Sequence, residues 1–263
     1  LPWTYLHTIK DYVDMAVHLE NNAEARAVVN FAPVLLEQID DYAKQLDDYL
    51  NHGKALRDPL LSALAEPVLC LDAASRLHLI KSCLRANKER LVEPFDAFIT
   101  LADMAEAGIK TPEIISYYSE QFFSDLLVWY HLAWMGETVR KSDLRIKSLI
   151  KQKQHFTLHH RHLLVEVISE LVSGVIGRYK QLAESGRIEL SMTPYAHPIV
   201  PLLIDIKSAE QAMPDAPLPL ATNYPDGKER SYWHMKKGIE VFKKYFGFKP
   251  KGCWPSEGSI SNE

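Results

Sequence analysis

The 263-residue chain is poor in several features that would otherwise direct its reading. It has three cysteines, Cys70, Cys83 and Cys253, odd in number and far apart. Neither a disulfide framework nor a zinc-ligand spacing is encoded, and a reducing, cytoplasmic setting is expected. Positive charge is not in excess: 30 Lys and Arg against 34 Asp and Glu leave a net charge of -4. No basic face for nucleic acid is therefore expected. No apolar run approaches the roughly 18 residues that span a bilayer. The best stretch, residues 163–176, is interrupted by Glu166 and Glu170, so no membrane partner is expected. The glycine-rich phosphate loops, the HExxH zinc pattern and the nucleophile-elbow serine are all missing. What remains is ordinary soluble composition, 47% apolar and 24% charged, which excludes disordered and collagen-like classes. The chain opens on Leu1 rather than Met and closes on residues 259–263 beyond a Gly/Pro/Trp-rich stretch. It reads as a segment of a longer protein.

Apolar periodicity organises the rest. Residues 3–20 have helical spacing. Residues 26–31, Arg-Ala-Val-Val-Asn-Phe, form a β-branched run bounded by Asn21-Asn22 and Pro33, as a buried strand would be. A second helix is expected from Pro33. From there to about residue 183 nearly everything is helix-patterned. Thr111-Pro112-Glu113 looks like a helix start, the run 114–135 is apolar around most of its circumference, and residues 156–182 carry apolar side chains at steps of three and four. The pattern then changes. Residues 187–190 are strand-like, residues 213–225 are a proline-rich loop, and residues 232–246 form a helix with Trp233, Ile239, Phe242 and Phe246 near one stripe. Residues 248–254 read as a third strand. Strands separated by helices predict parallel pairing and an α/β sheet or barrel. The helical block over residues 50–183 is too long for a crossover and is read as an insertion.

Three stretches carry candidate chemistry. Gly252-Cys-Trp-Pro-Ser-Glu257-Gly258 places a carboxylate just past a predicted strand end, three residues after Trp254. Residues at the carboxyl ends of parallel strands face the active site in such folds. A flat indole packs on the apolar face of a sugar, and a carboxylate attacks or protonates at the anomeric centre. Against this stands an ordinary loop with a solvated Glu. Glu189 lies inside the second strand, where a charge is expensive without a partner, and His197 follows in a Pro-rich segment. The plainer reading is an exposed edge-strand Glu and a loop His. His155, His159, His160 and His162 suggest a metal cluster only superficially, because no carboxylate accompanies them, and a solvated helix start is expected. Asp40-Asp41 and Asp47-Asp48 fall on the polar side of a helix, and solvation is expected there too. Trp129 and Trp134 sit in so apolar a helix that core packing is expected.

The ordered set Asn30-Phe-Ala-Pro-Val-Leu-Leu-Glu-Gln-Ile-Asp40, Gly186-x-Ile-Glu-Leu with His197-Pro-Ile-Val-Pro-Leu-Leu, and Gly252-x-Trp-x-x-Glu257-Gly resembles glycoside hydrolase family 57 over nearly the whole chain. The resemblance implies an α/β fold, part of a (β/α)7-type barrel with a large helical insertion. It implies residues 1–263 as a fragment of one catalytic domain. The implied activity is that of a retaining, amylase-like hydrolase or transglycosylase on α-glucans or maltooligosaccharides, with no metal or other cofactor. Glu257 matches the family's nucleophile. Glu189, His197, Trp254 and, less directly, Asn30 and Trp134 match cleft-lining positions. The family's first motif would lie just before Leu1 and its acid/base aspartate beyond Glu263, so the segment alone is expected to be inactive. Two other readings stay open. A metal-dependent polysaccharide deacetylase would need an Asp pair at a strand end with a His-x-x-x-His set. A helical or carbohydrate-binding protein would need no catalytic group. The sequence does not decide the oligomeric state.

Overall fold

The computed structural model describes residues 2–67, 69, 72–221 and 223–262; Cys70 lies outside them. In chain order the elements are α1 (Trp3–His7), a π-helical turn (Thr8–Tyr12), α2 (Val13–Asn21), β1 (Ala27–Phe31), α3 (Pro33–His52), α4 (Pro59–Ala65) and α5 (Ala73–Cys83). Then come α6 (Asp96–Lys110), α7 (Glu120–Trp134), α8 (Glu137–Ser142), α9 (Leu144–Gln152) and α10 (Leu158–Glu184). The last are β2 (Ile188–Met192), α11 (Val200–Ile204), α12 (Ala209–Ala212), α13 (Gly227–Phe246) and β3 (Gly252–Cys253). The chain divides into two compact units, one of residues 1–17 and 41–175, the other of residues 18–40 and 176–263.

The first unit is helical and is built around α7. Every residue from Phe122 to Trp134 is buried, as expected for a helix apolar on all sides. Burial drives its polar groups to find partners, and the segment 153–156 serves Ser124, Asp125 and Trp129. The carboxylate of Asp125 accepts from the backbone N–H of His155 and Phe156 at 3.0 and 2.8 Å. Ser124 donates to the Phe156 carbonyl at 2.7 Å, and the Trp129 indole donates to the Lys153 carbonyl at 2.6 Å. The helix begins later than the sequence predicts. Residues Pro112–Tyr117 form a 3-10 turn with no cap from Thr111, and Ser119 caps α7 by accepting from the Phe122 N–H. In the histidine run His155 and His159 are exposed, as a solvated helix start requires, while His160 and His162 are half-buried. His155 precedes α10 with a left-handed backbone, His160 accepts from the Thr157 N–H, and His162 bonds the Ala65 carbonyl.

The second unit holds the sheet. All three strands are parallel in the order β1-β2-β3, with Ala27 to Phe31 opposite Ile188 to Met192, and Ser191 and Met192 opposite Gly252 and Cys253. This is a three-stranded open sheet in a mostly helical chain, and the structure does not show the barrel expected from sequence. Among the described residues, the outer edges of β1 and β3 have no partner strand. β3 is shorter than the predicted strand 248–254. Pro250 and Pro255 bracket it and have no N–H for a ladder, and Phe248 turns to pack on Phe242 and Phe246.

Side chains alternate across the sheet. Val29, Phe31, Ile188, Leu190 and Met192 are buried on one face, where Phe31 packs on Tyr179 of α10 and Phe246 of α13. The other face carries Val28, Asn30, Glu189 and Ser191; Val28, Asn30 and Glu189 are exposed, Val28 by 67%, while Ser191 is buried. α13 lies close to the carboxyl end of β2 because Gly238 has no side chain; a Cβ there would stand 3.3 Å from Met192 Sδ and 3.4 Å from the Tyr195 nitrogen. The buried stripe of α13 runs through Gly227, Ser231, Gly238, Val241, Phe242 and Phe246. It leaves Trp233, assigned to the stripe from sequence, outside it and 51% exposed.

Candidate functional site

The site grows from the two segments that leave the carboxyl ends of β2 and β3. Beyond β3 the Trp254 N–H donates to the Met192 carbonyl at 2.8 Å, extending the ladder by one bond. Pro255 then opens a single 3-10 turn, Ser256–Gly258, in which Glu257 has φ 55° and Gly258 φ 68°. Beyond β2 the Thr193 N–H donates to the Phe31 carbonyl, and a turn closed by His197 N–H to Pro194 carbonyl at 2.8 Å leaves His197 at φ 57°. A left-handed backbone costs a non-glycine residue about 1–2 kcal/mol, and such strain collects at functional sites. Here the two strained residues face each other: His197 Nδ1 lies 3.9 Å from Glu257 Oε1, their side chains 40% and 72% exposed. At that distance there is no hydrogen bond, and in water the ion pair is worth little for stability. The arrangement holds a carboxylate and an imidazole open to a ligand.

The His197 segment is fixed from two sides. The Tyr195 hydroxyl donates to Glu37 Oε2 at 2.5 Å, and the Val34 N–H donates to the Tyr195 carbonyl at 3.0 Å, tying it to the first turns of α3. The hydrogen bond to Glu37, with burial, pushes the Tyr195 phenol up to about 12. From α13, the His234 carbonyl accepts from the Tyr195 N–H at 3.1 Å, and His234 Nδ1 accepts from the Ala196 N–H at 3.4 Å. An accepting Nδ1 requires a neutral ring. Burial, with the charge of Arg230 nearby, lowers the His234 pKa and favours that state.

The remaining sequence-nominated residues are distributed as follows. Trp254 is 60% exposed beside the Glu257 turn. Asn30 stands on the open face of β1, where its Oδ1 accepts from Ser191 Oγ at 2.9 Å. Glu189 shares that face one strand repeat lower, opposite Val28, and lines a shallow cleft of about 410 Å³ with Arg26, Arg187 and Lys251. It stands toward the amino ends of the strands and is not part of the His197–Glu257 pair. Trp134 belongs to the helical unit. It is buried against Trp3 and His7 at ring distances of 5.7 and 5.3 Å, and among the described residues its indole N–H has no hydrogen-bond partner. Tyr195, Glu37, Trp233 and His234 were not nominated from sequence. Only the position of Tyr195, two residues before His197, pointed toward them.

Among the described residues no group of three or more His, Cys, Asp or Glu side chains is arranged to hold a metal ion, and no helix is long and apolar enough to cross a membrane. Asp40, Asp41, Asp47 and Asp48 lie on α3 rather than at a strand end, where a deacetylase would need its pair. No curated protein and no solved structure matches the chain. The sequence profile of glycosyl hydrolase family 57 matches residues 1–263, its whole length. The chain belongs to glycosyl hydrolase family 57.

Proposed function

We propose that this glycoside hydrolase or transglycosylase acts on α-glucans with retention of configuration, and that Glu257 is its nucleophile. The observation that carries the reading is the Glu257 turn: a carboxylate 72% exposed, held in a left-handed backbone just past β3, with His197 3.9 Å away. Residues 50–183 are then an insertion into one catalytic domain. Asn30, toward the carboxyl end of β1, borders the cleft, and Trp254 is a sugar platform next to the reacting bond.

In the first step a Glu257 oxygen bonds to the anomeric carbon as the glycosidic C–O bond breaks, and the leaving oxygen takes a proton from an acid. In the second step the same group, now a base, removes a proton from water or a sugar hydroxyl, whose oxygen displaces Glu257. The family resemblance assigns that acid/base to an aspartate beyond Glu263, and retaining chemistry places the two carboxyl groups about 5–5.5 Å apart. His197, a hydrogen-bond donor or acceptor within reach of the same sugar, orients it. No step calls on a metal or other cofactor. Three cysteines, odd in number and far apart in the sequence, suit a reducing, cytoplasmic setting.

The test is covalent trapping in the full-length protein. A 5-fluoro-α-glucosyl fluoride should add one glycosyl mass to the peptide containing Glu257 and to no other. Labelling of a different carboxylate, or turnover with inversion at the anomeric carbon, would overturn the assignment.

A further inference from the structure

Half of the Trp233 indole lies in solvent, 51% exposed, on a helix whose neighbouring outward positions are Tyr232, Lys236 and Lys237. The ring is nonetheless fixed. Tyr195 meets it edge to face at 5.4 Å and 87°, and His234 does so at 5.0 Å and 82°. Both partners are themselves anchored, Tyr195 to Glu37 and His234 to Ala196. A large apolar surface kept in water and held rigid loses little freedom on stacking against a ligand, and a flat indole suits the apolar face of a sugar ring.

Its position says which ligand. Trp233 touches Tyr195; Ala196 follows and bonds His234; His197 comes next and faces Glu257. The indole is therefore joined through Tyr195 to the segment that presents His197 to Glu257, while Trp254 precedes Glu257 on the β3 side.

We propose that Trp233 is a second sugar platform, which stacks on a glucosyl unit of the bound chain removed from the bond being cleaved, and so sets a preference for longer maltooligosaccharides. The proposal rests on the glucan-active reading above. Trp233 is a specificity-determining residue, and Tyr195 and His234 position it.

The test compares kcat/KM across maltotriose to maltoheptaose for the full-length parent and three variants. Trp233→Ala and Trp233→Leu should flatten the rise of kcat/KM with chain length by about tenfold, mostly through KM on the longest substrates. Trp233→Phe, which keeps a ring face, should retain most of the rise. The Leu variant keeps bulk against Tyr195, so it reports on stacking even where the Ala variant fails to fold. A parent-like length profile in the Leu variant overturns the platform while leaving the nucleophile assignment intact. An equal loss on every substrate also overturns it, since that is the mark of damage to the His197 segment. Absence of α-glucan turnover by the parent brings down the glucan reading and the platform with it.

Discussion

Tyr195 donates its phenol proton to Glu37, and this single bond at 2.5 Å joins the first turns of α3 to the segment that ends in His197. The acceptor is a carboxylate, so the bond is of the stronger, charge-assisted kind. Tyr195→Phe removes it and leaves the ring in place against Trp233. The expected cost is about 1.5 kcal/mol of stability, within the range for hydrogen bonds to charged groups. The loosened His197 should lower kcat by about tenfold, the equivalent of about 1.4 kcal/mol of positioning. Urea unfolding and steady-state kinetics on the full-length protein check both parts. An unchanged kcat would show that Tyr195 serves the fold alone.

Glu257→Gln should leave folding intact and reduce turnover on α-glucans by about 1,000-fold or more. Gln keeps the size and hydrogen-bonding reach of the side chain but cannot form the glycosyl ester. Each 1.36 kcal/mol of barrier is roughly tenfold in rate, and loss of the covalent step removes several such units. Among the described residues the exposed side chain makes no hydrogen bond, and its ion pair is weak, so the melting temperature should move by less than a degree or two. Reducing-sugar release and maltooligosaccharide disproportionation measure the rate. A Gln variant as active as its parent would take the nucleophile's role away from Glu257.

His131 predicts an acid limit to the stability of the helical unit. It is fully buried; its Nδ1–H donates to the Leu127 carbonyl at 2.8 Å, and its Nε2 accepts from the Tyr5 hydroxyl at 3.0 Å. Burial pushes its pKa down to about 4, against about 6.5 for an exposed histidine. Between those values the unfolded chain holds a proton that the folded chain does not. Stability therefore rises with pH across this window and is fully present only above about pH 6.5. Acidification from pH 6.5 to 4 should cost about 3 kcal/mol from this group alone. In His131→Gln that portion of the slope should disappear, as read by denaturant unfolding at a series of pH values. An equal slope in the variant would assign the acid sensitivity to other groups.

Gly227 predicts a steric limit. It opens α13, and a Cβ there would stand 1.6 Å from the Leu203 carbonyl oxygen at the end of α11. That distance is far inside van der Waals contact, and the obstacle is backbone rather than a yielding side chain. Gly227→Ala should cost about 2–3 kcal/mol, at the upper end of ordinary overpacking, because α11 and α13 have to move apart. Chemical denaturation gives the cost. A variant as stable as the parent would show that the loop between these helices gives way freely.

The strands of the sheet were readable because they announce themselves locally. Val28-Val29 and Ile188-Glu189-Leu190 are β-branched or alternating runs between turn residues, and helical stretches separating them imply parallel pairing. Trp254 and Glu257 stand out by their spacing just past the third predicted strand, and the structure places both in the segment that follows β3. Other features hide because their causes are nonlocal. Trp233 fits a helical stripe by periodicity, yet the buried stripe runs through Gly238, where Met192 and Tyr195 approach, which no window of sequence reports. The Tyr195–Glu37 bond spans 158 residues, and neither residue is unusual in its own neighbourhood. The start of α7 was misplaced because Thr111-Pro112 and Ser119 both carry capping chemistry, and only packing chooses between them. The strand–helix order allows a sheet or a barrel alike, the seven-stranded form came from the family resemblance, and nothing local to these three strands tests closure.

The sheet also has a history in time. β1 leaves the ribosome 161 residues ahead of the strand it must pair with, measured from Asn30 to Ser191. At about 5–20 residues per second, it waits roughly 8–30 s with its ladder unmade. Long-range parallel pairing is slow for this reason and leaves strand edges exposed to other nascent chains. The helical unit emerges during that interval and closes mainly on contacts within itself, so it removes its own apolar surface from the chain while β1 is still single. Expression at reduced temperature, or with a holdase present to shield residues 27–31, should therefore raise the soluble yield of this protein more than that of an all-helical protein of similar size.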